Sequence, residues 1–318
     1  MIGTTISHYR ILEKLGQGGM GVVYKAVDTR LERFVALKLL SLGVPRSAEL
    51  RGRFLREARA ASTLNDPHIC TIYEAGEENG SAFIAMEFLD GVTLQELVRD
   101  GPLELDRLIG IALQTIEGMD AAHREGIIHS DIKLANIFIT RRGRVKILDF
   151  GLATKTVPSH AAVLAAGRDH SESSIDDSEL ASGLAALGTA PCMSPEQALG
   201  KPLDTRTDLF SFGIVLYEMA TGKAPFEGDD TGMVFLSILR QRPDPASMIN
   251  PAVPDALQRI IGKCLEKDRE QRYQHAAEIA EDLWRQFRFT VNPGWSTRNY
   301  AYLAAYPTRR QAGTLPLH

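Results

Sequence analysis

The chain has 318 residues, 44% of them hydrophobic and 24% charged, and carries a formal net charge of −4 at pH 7. That length can bury a sizeable core, as one bilobal unit or two ordinary domains, and the charge balance gives no reason to expect a nucleic-acid partner. Cys70, Cys192 and Cys264 are odd in number and far apart, which argues against a disulfide framework and offers no metal-type pair.

Met1 to His8 lacks a basic region followed by an apolar core, so a secretory signal is not supported. No apolar stretch is long enough to span a bilayer. The expected setting is cytoplasmic, either free or tethered as a piece of a longer protein. Up to about Leu89 the pattern predicts short strands over Tyr9–Leu15, Val22–Val27, Phe34–Leu40, Ile69–Ala75 and Ala82–Glu87. One helix, Ser47–Leu64, interrupts them and stops at Asn65-Asp66-Pro67.

Beyond Asp90-Gly91 helices dominate: Thr93–Asp100, Leu105–Glu125, Thr207–Thr221, Gly232–Arg240, Asp255–Leu265 and His275–Phe287. Short strands are expected at Ile127-Ile128, Ile137–Thr140 and Val145–Leu148. From Lys155 to Ser182 the composition is that of a loop, with a helix over Glu179–Leu187 as the alternative. The tail after Phe289 reads as a linker. A strand-rich first part and a helical second part give an α+β class.

Four motifs carry chemistry. The run Gly16-Gln17-Gly18-Gly19-Met20-Gly21 is followed by β-branched Val22 and Val23. That makes a strand-turn-strand flap rather than the strand-turn-helix of a dinucleotide fold, and its bare backbone can approach phosphate oxygens. A plain hairpin turn is the alternative. Lys38 ends the apolar run Val35-Ala36-Leu37, where a cation needs a partner such as a phosphate or Glu57; an ordinary edge-strand lysine remains open.

His129-Ser130-Asp131-Ile132-Lys133-Leu134-Ala135-Asn136 offers a base in Asp131, a cation in Lys133 and an amide oxygen for Mg²⁺ in Asn136. His129 reads as a packed structural histidine rather than a zinc ligand. Asp149, in Asp149-Phe150-Gly151, leaves an apolar strand with a hard oxygen ligand for Mg²⁺, although Asp and Gly also suit a simple β-turn.

On these motifs the chain from about Tyr9 to Phe287 resembles the eukaryotic-like (Hanks-type) serine/threonine protein kinases found in bacteria. The resemblance implies a bilobal fold: an N-lobe over 1–89, a C-lobe over 90–288 with its activation segment at 149–196, and a tail over 289–318. It implies transfer of the ATP γ-phosphate to a protein Ser/Thr hydroxyl, with ATP and Mg²⁺ as cofactors and a protein substrate as partner. Homodimerisation stays open.

The nucleotide pocket so implied runs from Leu15 through the glycine flap to Val23. It adds Ala36, Lys38, Met86 at the back, the hinge Glu87-Phe88-Leu89, and Phe138 beneath the ring. Glu57 would pair with Lys38. Ser194-Pro195-Glu196 and Arg272 look like the family's ion-paired end of the activation segment, and Asp208 like the brace of its catalytic loop.

Three departures stand out. Ser130 replaces the arginine that usually binds a phosphorylated activation loop, the segment from Asp149 to Glu196 is long, and Ala190-Pro191-Cys192 replaces a more familiar Pro-Ala-Tyr. They leave a pseudokinase or nucleotide-binding scaffold as the alternative function. A small-molecule phosphotransferase is a third reading, weakened by Gly188-Thr189 and Ser194-Pro195-Glu196. Because Ser130 carries no charge for a loop phosphate to neutralise, strict dependence on loop phosphorylation is not expected. Replacing Thr154, Thr156, Ser171, Ser173, Ser174 and Ser178 by Ala should keep the transfer rate within about tenfold of wild type, or about 1.4 kcal/mol of barrier. A larger fall in a radiolabelled-ATP assay would reverse this view.

Overall fold

The computed structural model describes residues 1–18, 21–40, 48–78, 81–150 and 192–287. The expected loop at 155–182, the alternative helix at 179–187 and the tail after Phe289 lie outside the described residues, as do Gly19, Met20 and the side chain of Glu57.

The N-terminal part is a six-stranded antiparallel sheet of β1 (Thr5–Ile6), β2 (Tyr9–Gly18), β3 (Gly21–Asp28), β4 (Arg33–Leu40), β5 (Ile72–Glu78) and β6 (Ser81–Glu87), with spatial order β1-β2-β3-β4-β6-β5. Helix α1 (Ala48–Ala61) packs on it. Alternation along β4 sorts the two faces. Val35, Leu37 and Leu39 join Tyr9, Ile11 and Phe83 in one cluster, while Ala36 joins Ile84, Met86 and the α1 residues Phe54 and Ala58 in another. Lys38 shares the parity of Ala36, which assigns it to the α1 side of the sheet.

Next come β7 (Gly91–Thr93), α2 (Leu94–Val98), α3 (Leu105–Arg124), β8 (Ile137–Thr140) and β9 (Val145–Ile147). The three strands form a small sheet in the order β7-β8-β9. Helices α4 (Pro195–Ala198), α5 (Arg206–Thr221), α6 (Thr231–Arg240), α7 (Ala246–Ile249), α8 (Asp255–Cys264) and α9 (Ala276–Phe287) complete the helical lobe. Its core is one continuous cluster around α5, which buries nearly every residue from Thr207 to Thr221.

Several expected boundaries move for local reasons. Helix α1 stops at Ala61 because the hydroxyls of Ser62 and Thr63 bond back to the carbonyls of Arg59 and Ala60. Thr93 caps α2 instead of opening it: its hydroxyl accepts from the Glu96 amide while Glu96 reaches back to the Thr93 N–H. No strand forms at Ile127-Ile128. Gly126 adopts φ +72° and the Ile127 N–H returns to the Ala122 carbonyl, so this stretch finishes α3. The strand expected from Ile69 starts at Ile72, and Ile69 instead forms a parallel bridge to Ile147. The short strands β1 and β7 and the short helices α4 and α7 carry too few residues for a periodic signal.

One buried ion pair clamps the helical lobe. Arg272 Nη1 and Nη2 lie 2.7 and 2.8 Å from the two Glu196 carboxylate oxygens, and both side chains are almost fully buried. The guanidinium also bonds the carbonyls of Glu266 and Lys267, and Glu196 takes the Thr207 hydroxyl. Burial alone would push the Glu196 carboxyl up, but the Arg272 hydrogen bonds and charge outweigh it and hold the pKa below the ordinary 4.5.

Arg272→Met leaves that carboxylate buried without its cation and should destabilise the chain by about 3–5 kcal/mol at pH 7. Because the folded pKa of Glu196 is depressed, its stabilising contribution is present above the unfolded value and lost as pH falls through the folded one. The gap between wild type and variant in urea melts should therefore narrow below pH 4.5. A gap that stays constant with pH would contradict the assignment.

Candidate active site

The site lies where the β-sheet meets the helical lobe. The β2–β3 hairpin closes with Gly18 opposite Gly21, so the glycine run is a strand-turn-strand flap. Its glycines differ in what they require. A Cβ on Gly21 would stand 2.0 Å from the Leu39 carbonyl oxygen, so this glycine lets β3 approach β4; a Cβ on Gly16 would meet nothing within 4 Å. Gly16 therefore keeps open space beside the strand, while Gly21 serves the sheet itself.

Register places Val23 opposite Lys38 and Ala36 opposite Met86. Leu15, Val23 and Leu89 pack at the edge of the Ala36–Met86 cluster, and Val22 packs on the other face of the sheet. Gln17 pairs with Val22 in the ladder, and its side chain takes a hydrogen bond from Lys14. The Glu87 N–H is used by the Thr71 carbonyl, whereas Leu89 makes no backbone hydrogen bond among the described residues. Phe138, on β8, is half-buried and pairs across to Thr93 and Lys146.

Lys38 Nζ meets Asp149 Oδ1 at 2.8 Å, with Lys38 about nine-tenths buried and Asp149 less so. Asp149 follows β9 and has φ +57°. Its position is fixed from behind: the Leu148 N–H bonds the Asn136 carbonyl at 2.8 Å, and the Leu148 carbonyl accepts from His129 Nε2 at 2.8 Å. The next residue, Phe150, is buried with its ring 4.6 Å from that of His129.

Asp131 lies in the loop before β8. Its Oδ2 receives Lys133 Nζ at 2.6 Å and Asn136 Nδ2 at 3.0 Å, and its N–H donates to His129 Nδ1 at 3.2 Å. The two bonds fix the His129 tautomer, Nε2 carrying the hydrogen and Nδ1 accepting. His129 is thus the packed histidine the sequence suggests, with the further task of tying the Asp131 amide to the end of β9. Asn136 spends its nitrogen on Asp131, through both carboxylate and carbonyl, which leaves its Oδ1 as the ligand atom.

Asp208, on the first turn of α5, is fully buried. Its Oδ1 accepts from the Ser130 N–H at 2.7 Å, and its Oδ2 accepts from the His129 N–H and His123 Nε2, both at 2.8 Å. Three donors replace the water a buried carboxylate gives up. The backbone of α1 is described, but the Glu57 side chain is not, and its pairing with Lys38 is therefore an expectation about a residue outside the described side chains.

Two contributors escaped the sequence reading. Lys146, in β9, is buried with Nζ 2.8 Å from Glu87 Oε2 and 3.1 Å from the Ile69 carbonyl, so it joins the hinge to the helical lobe. The contact with Glu87 is one of charge rather than a well-directed hydrogen bond. Gln197, in α4, reaches the Ser130 carbonyl at 2.7 Å. Ser194-x-x-Gln197 has the spacing of a capping box, which locates the helix start, but nothing local points Lys146 to Glu87 or Gln197 to Ser130, 59 and 67 residues away.

The donor set fits a nucleotide triphosphate with a hard cation: a lysine ammonium beside two oxygen ligands, one carboxylate and one amide. Comparison with known proteins agrees. Residues 9–285 match the protein kinase domain model. The chain is 39% identical over 285 residues to a probable serine/threonine-protein kinase of Clostridium acetobutylicum, covering 89% of this chain and 40% of that protein.

It is 38% identical over 291 residues to the serine/threonine-protein kinase PknB of Mycobacterium tuberculosis, covering 89% of this chain and 44% of that protein. The crystal structure of the M. tuberculosis PknI kinase domain superposes with a TM-score of 0.69 at 25% identity, over 90% of this chain and 98% of that one. The chain belongs to the protein kinase family, in its bacterial Hanks-type serine/threonine branch. It spans less than half the length of these two curated relatives.

Lys38→Met keeps the volume and removes the cation that faces Asp149. Unfolding should remain cooperative while transfer from ATP is abolished, measured by thermal melting and by radiolabelled phosphate incorporation. Normal turnover in the variant would remove Lys38 from the chemistry.

Proposed function

We propose that the chain is an active Mg²⁺/ATP-dependent protein kinase that phosphorylates Ser or Thr hydroxyls of protein substrates. The observation that carries this reading is the convergence of Lys38, Asp131, Lys133, Asn136 and Asp149. These come from β4, the loop before β8 and the end of β9, and are linked by contacts of 2.6–3.0 Å within two groups. A backbone bond between Leu148 and Asn136 joins the groups.

Asp131 has both hydrogen bonds on Oδ2, so Oδ1 is the oxygen that takes the proton of an incoming hydroxyl as that oxygen attacks the γ-phosphorus. Lys133 then lies beside the attacked phosphoryl group and offsets its charge. Lys38 would hold the phosphates, and Asp149 with Asn136 Oδ1 would hold the metal. Mg²⁺ held there would supply charge neutralisation to the transferring phosphates.

Glu57 belongs to this reading as the residue that would pair with and orient Lys38. The adenine slot would be formed by Leu15, Val23, Ala36, Met86 and Phe138, with the backbone of Glu87 and Leu89 as its polar edge, and the flap from Gly16 to Val22 would cover the phosphates. The division at residues 89 and 288 and a cytoplasmic setting are part of the same reading; no helix among the described residues is long and apolar enough to cross a membrane.

Asp131→Asn keeps the bond from Lys133 and loses the base. Transfer to a generic basic protein should drop roughly 10²-fold or more, with the ATP KM little changed. Equal activity in mutant and wild type would assign the chemistry elsewhere.

A further inference from the structure

Ser130 is a non-glycine residue with φ +61°, a conformation that persists only where its surroundings over-determine it. Its N–H is held by Asp208 Oδ1. The peptide unit it shares with Asp131 is held at both polar atoms. The Asp131 N–H donates to His129 Nδ1 at 3.2 Å, and the Ser130 carbonyl accepts from Gln197 Nε2 at 2.7 Å. The orientation of this peptide plane sets the direction in which the Asp131 side chain leaves the backbone.

Gln197 is itself rigidly placed. It is 9% exposed, its Oε1 accepts from the Ser194 N–H at 2.9 Å, and its own N–H donates to Ser194 Oγ at 3.2 Å. Its neighbour Glu196 is clamped by Arg272. The amide therefore uses its oxygen within its own helix start and one N–H across to the loop of Asp131.

We propose that Gln197 is a positioning residue for Asp131, an uncharged strap through which the seated segment 192–197 fixes the peptide before the base. The proposal rests on the kinase reading above and goes beyond it. Ser130 has no charge with which a phosphate upstream could pull on this loop, and among the described residues the hydrogen bond from α4 to the loop is a neutral amide–carbonyl one. The strap is in place whenever α4 is seated, whatever the phosphorylation state of the segment that precedes it.

The test compares the full chain with Gln197→Glu and Ser194→Ala, measuring kcat, the ATP KM and thermal melting. In Gln197→Glu the carboxylate still accepts from the Ser194 N–H but cannot donate to Ser130. At pH 8 its kcat should fall at least tenfold with the ATP KM within twofold. A buried carboxyl facing a carbonyl is driven towards its protonated form, whose O–H can donate. The ratio of variant to wild-type kcat should accordingly rise as pH is lowered from 8 to 6.

Ser194→Ala removes one of the two bonds that seat Gln197 but keeps the Gln197 Nε2–H that donates to the Ser130 carbonyl, so it should melt lower with a kcat loss clearly smaller than that of Gln197→Glu. The proposal is overturned by a Gln197→Glu kcat within twofold of wild type at pH 8, or by an equal loss in Ser194→Ala. Should Gln197→Glu lose its cooperative melt, Gln197→Met takes its place. A tenfold kcat loss at unchanged ATP KM then supports the strap, and wild-type kcat overturns it. Absence of transfer by the wild-type chain would instead defeat the kinase reading underneath.

Discussion

The arrangement depends on how one ion is kept in the dry interior. Asp208 has no exposed surface, and in such a place a carboxylate without donors would be prohibitive. Its donors are not arbitrary. Two are consecutive main-chain N–H groups, those of His129 and Ser130, and the third is the imidazole of His123 on α3. Satisfying the charge thus bends the chain just ahead of Asp131 into one shape and refers that shape to α5, the most buried helix of the lobe. The positive end of α5 adds a favourable field for the same carboxylate.

From that fixed loop the geometry is relayed to the sheet through β9. Ile147 gives its N–H to the His68 carbonyl at 2.7 Å and takes the Cys70 N–H at 2.9 Å, which pins the start of the β5 region onto the helical lobe. Lys146 adds a buried cation between the Ile69 carbonyl and Glu87. Leu148 then bonds Asn136 on one side and His129 on the other before the chain turns at Asp149. The distance from Lys38 to Asp149 is consequently set by strand pairing on one side and by β9 on the other.

Much of this was legible because it is local. The alternation that sends Lys38 to the α1 face can be counted along β4, and Asp131, Asn136 and Asp149 lie in short motifs whose residue types name their chemistry. The resemblance to kinases supplied the pair Glu196–Arg272 and the place of Asp208, which no spacing argument could have found across gaps of 76 and 78 residues. Lys146 sits inside the strand-like run Val145–Leu148, and Gln197 directly follows Ser194-Pro195-Glu196. Each acts across the fold on a distant carbonyl or carboxylate, and the capping-box spacing of Ser194 and Gln197 names the helix start but not Ser130. The strand expected at Ile127-Ile128 failed for the opposite reason: two β-branched residues look like a strand, but the helix ahead of them still had a carbonyl to satisfy.

Backbone strain tells the same story about where order is concentrated. Four non-glycine residues among those described have positive φ, and two of them, Ser130 and Asp149, stand at the two carboxylates of the site. Each costs free energy of order 1–3 kcal/mol and needs compensation from its neighbours. For Ser130 the compensation is Asp208 on its N–H and Gln197 on its carbonyl; for Asp149 it is Lys38 on the side chain and the Leu148–Asn136 bond just before it. A turn built from glycine would reach the same conformation with less strain but would also leave it freely. Non-glycine residues held by several bonds keep the backbone at both carboxylates in one shape before any ligand arrives, so less ordering remains for the moment of binding.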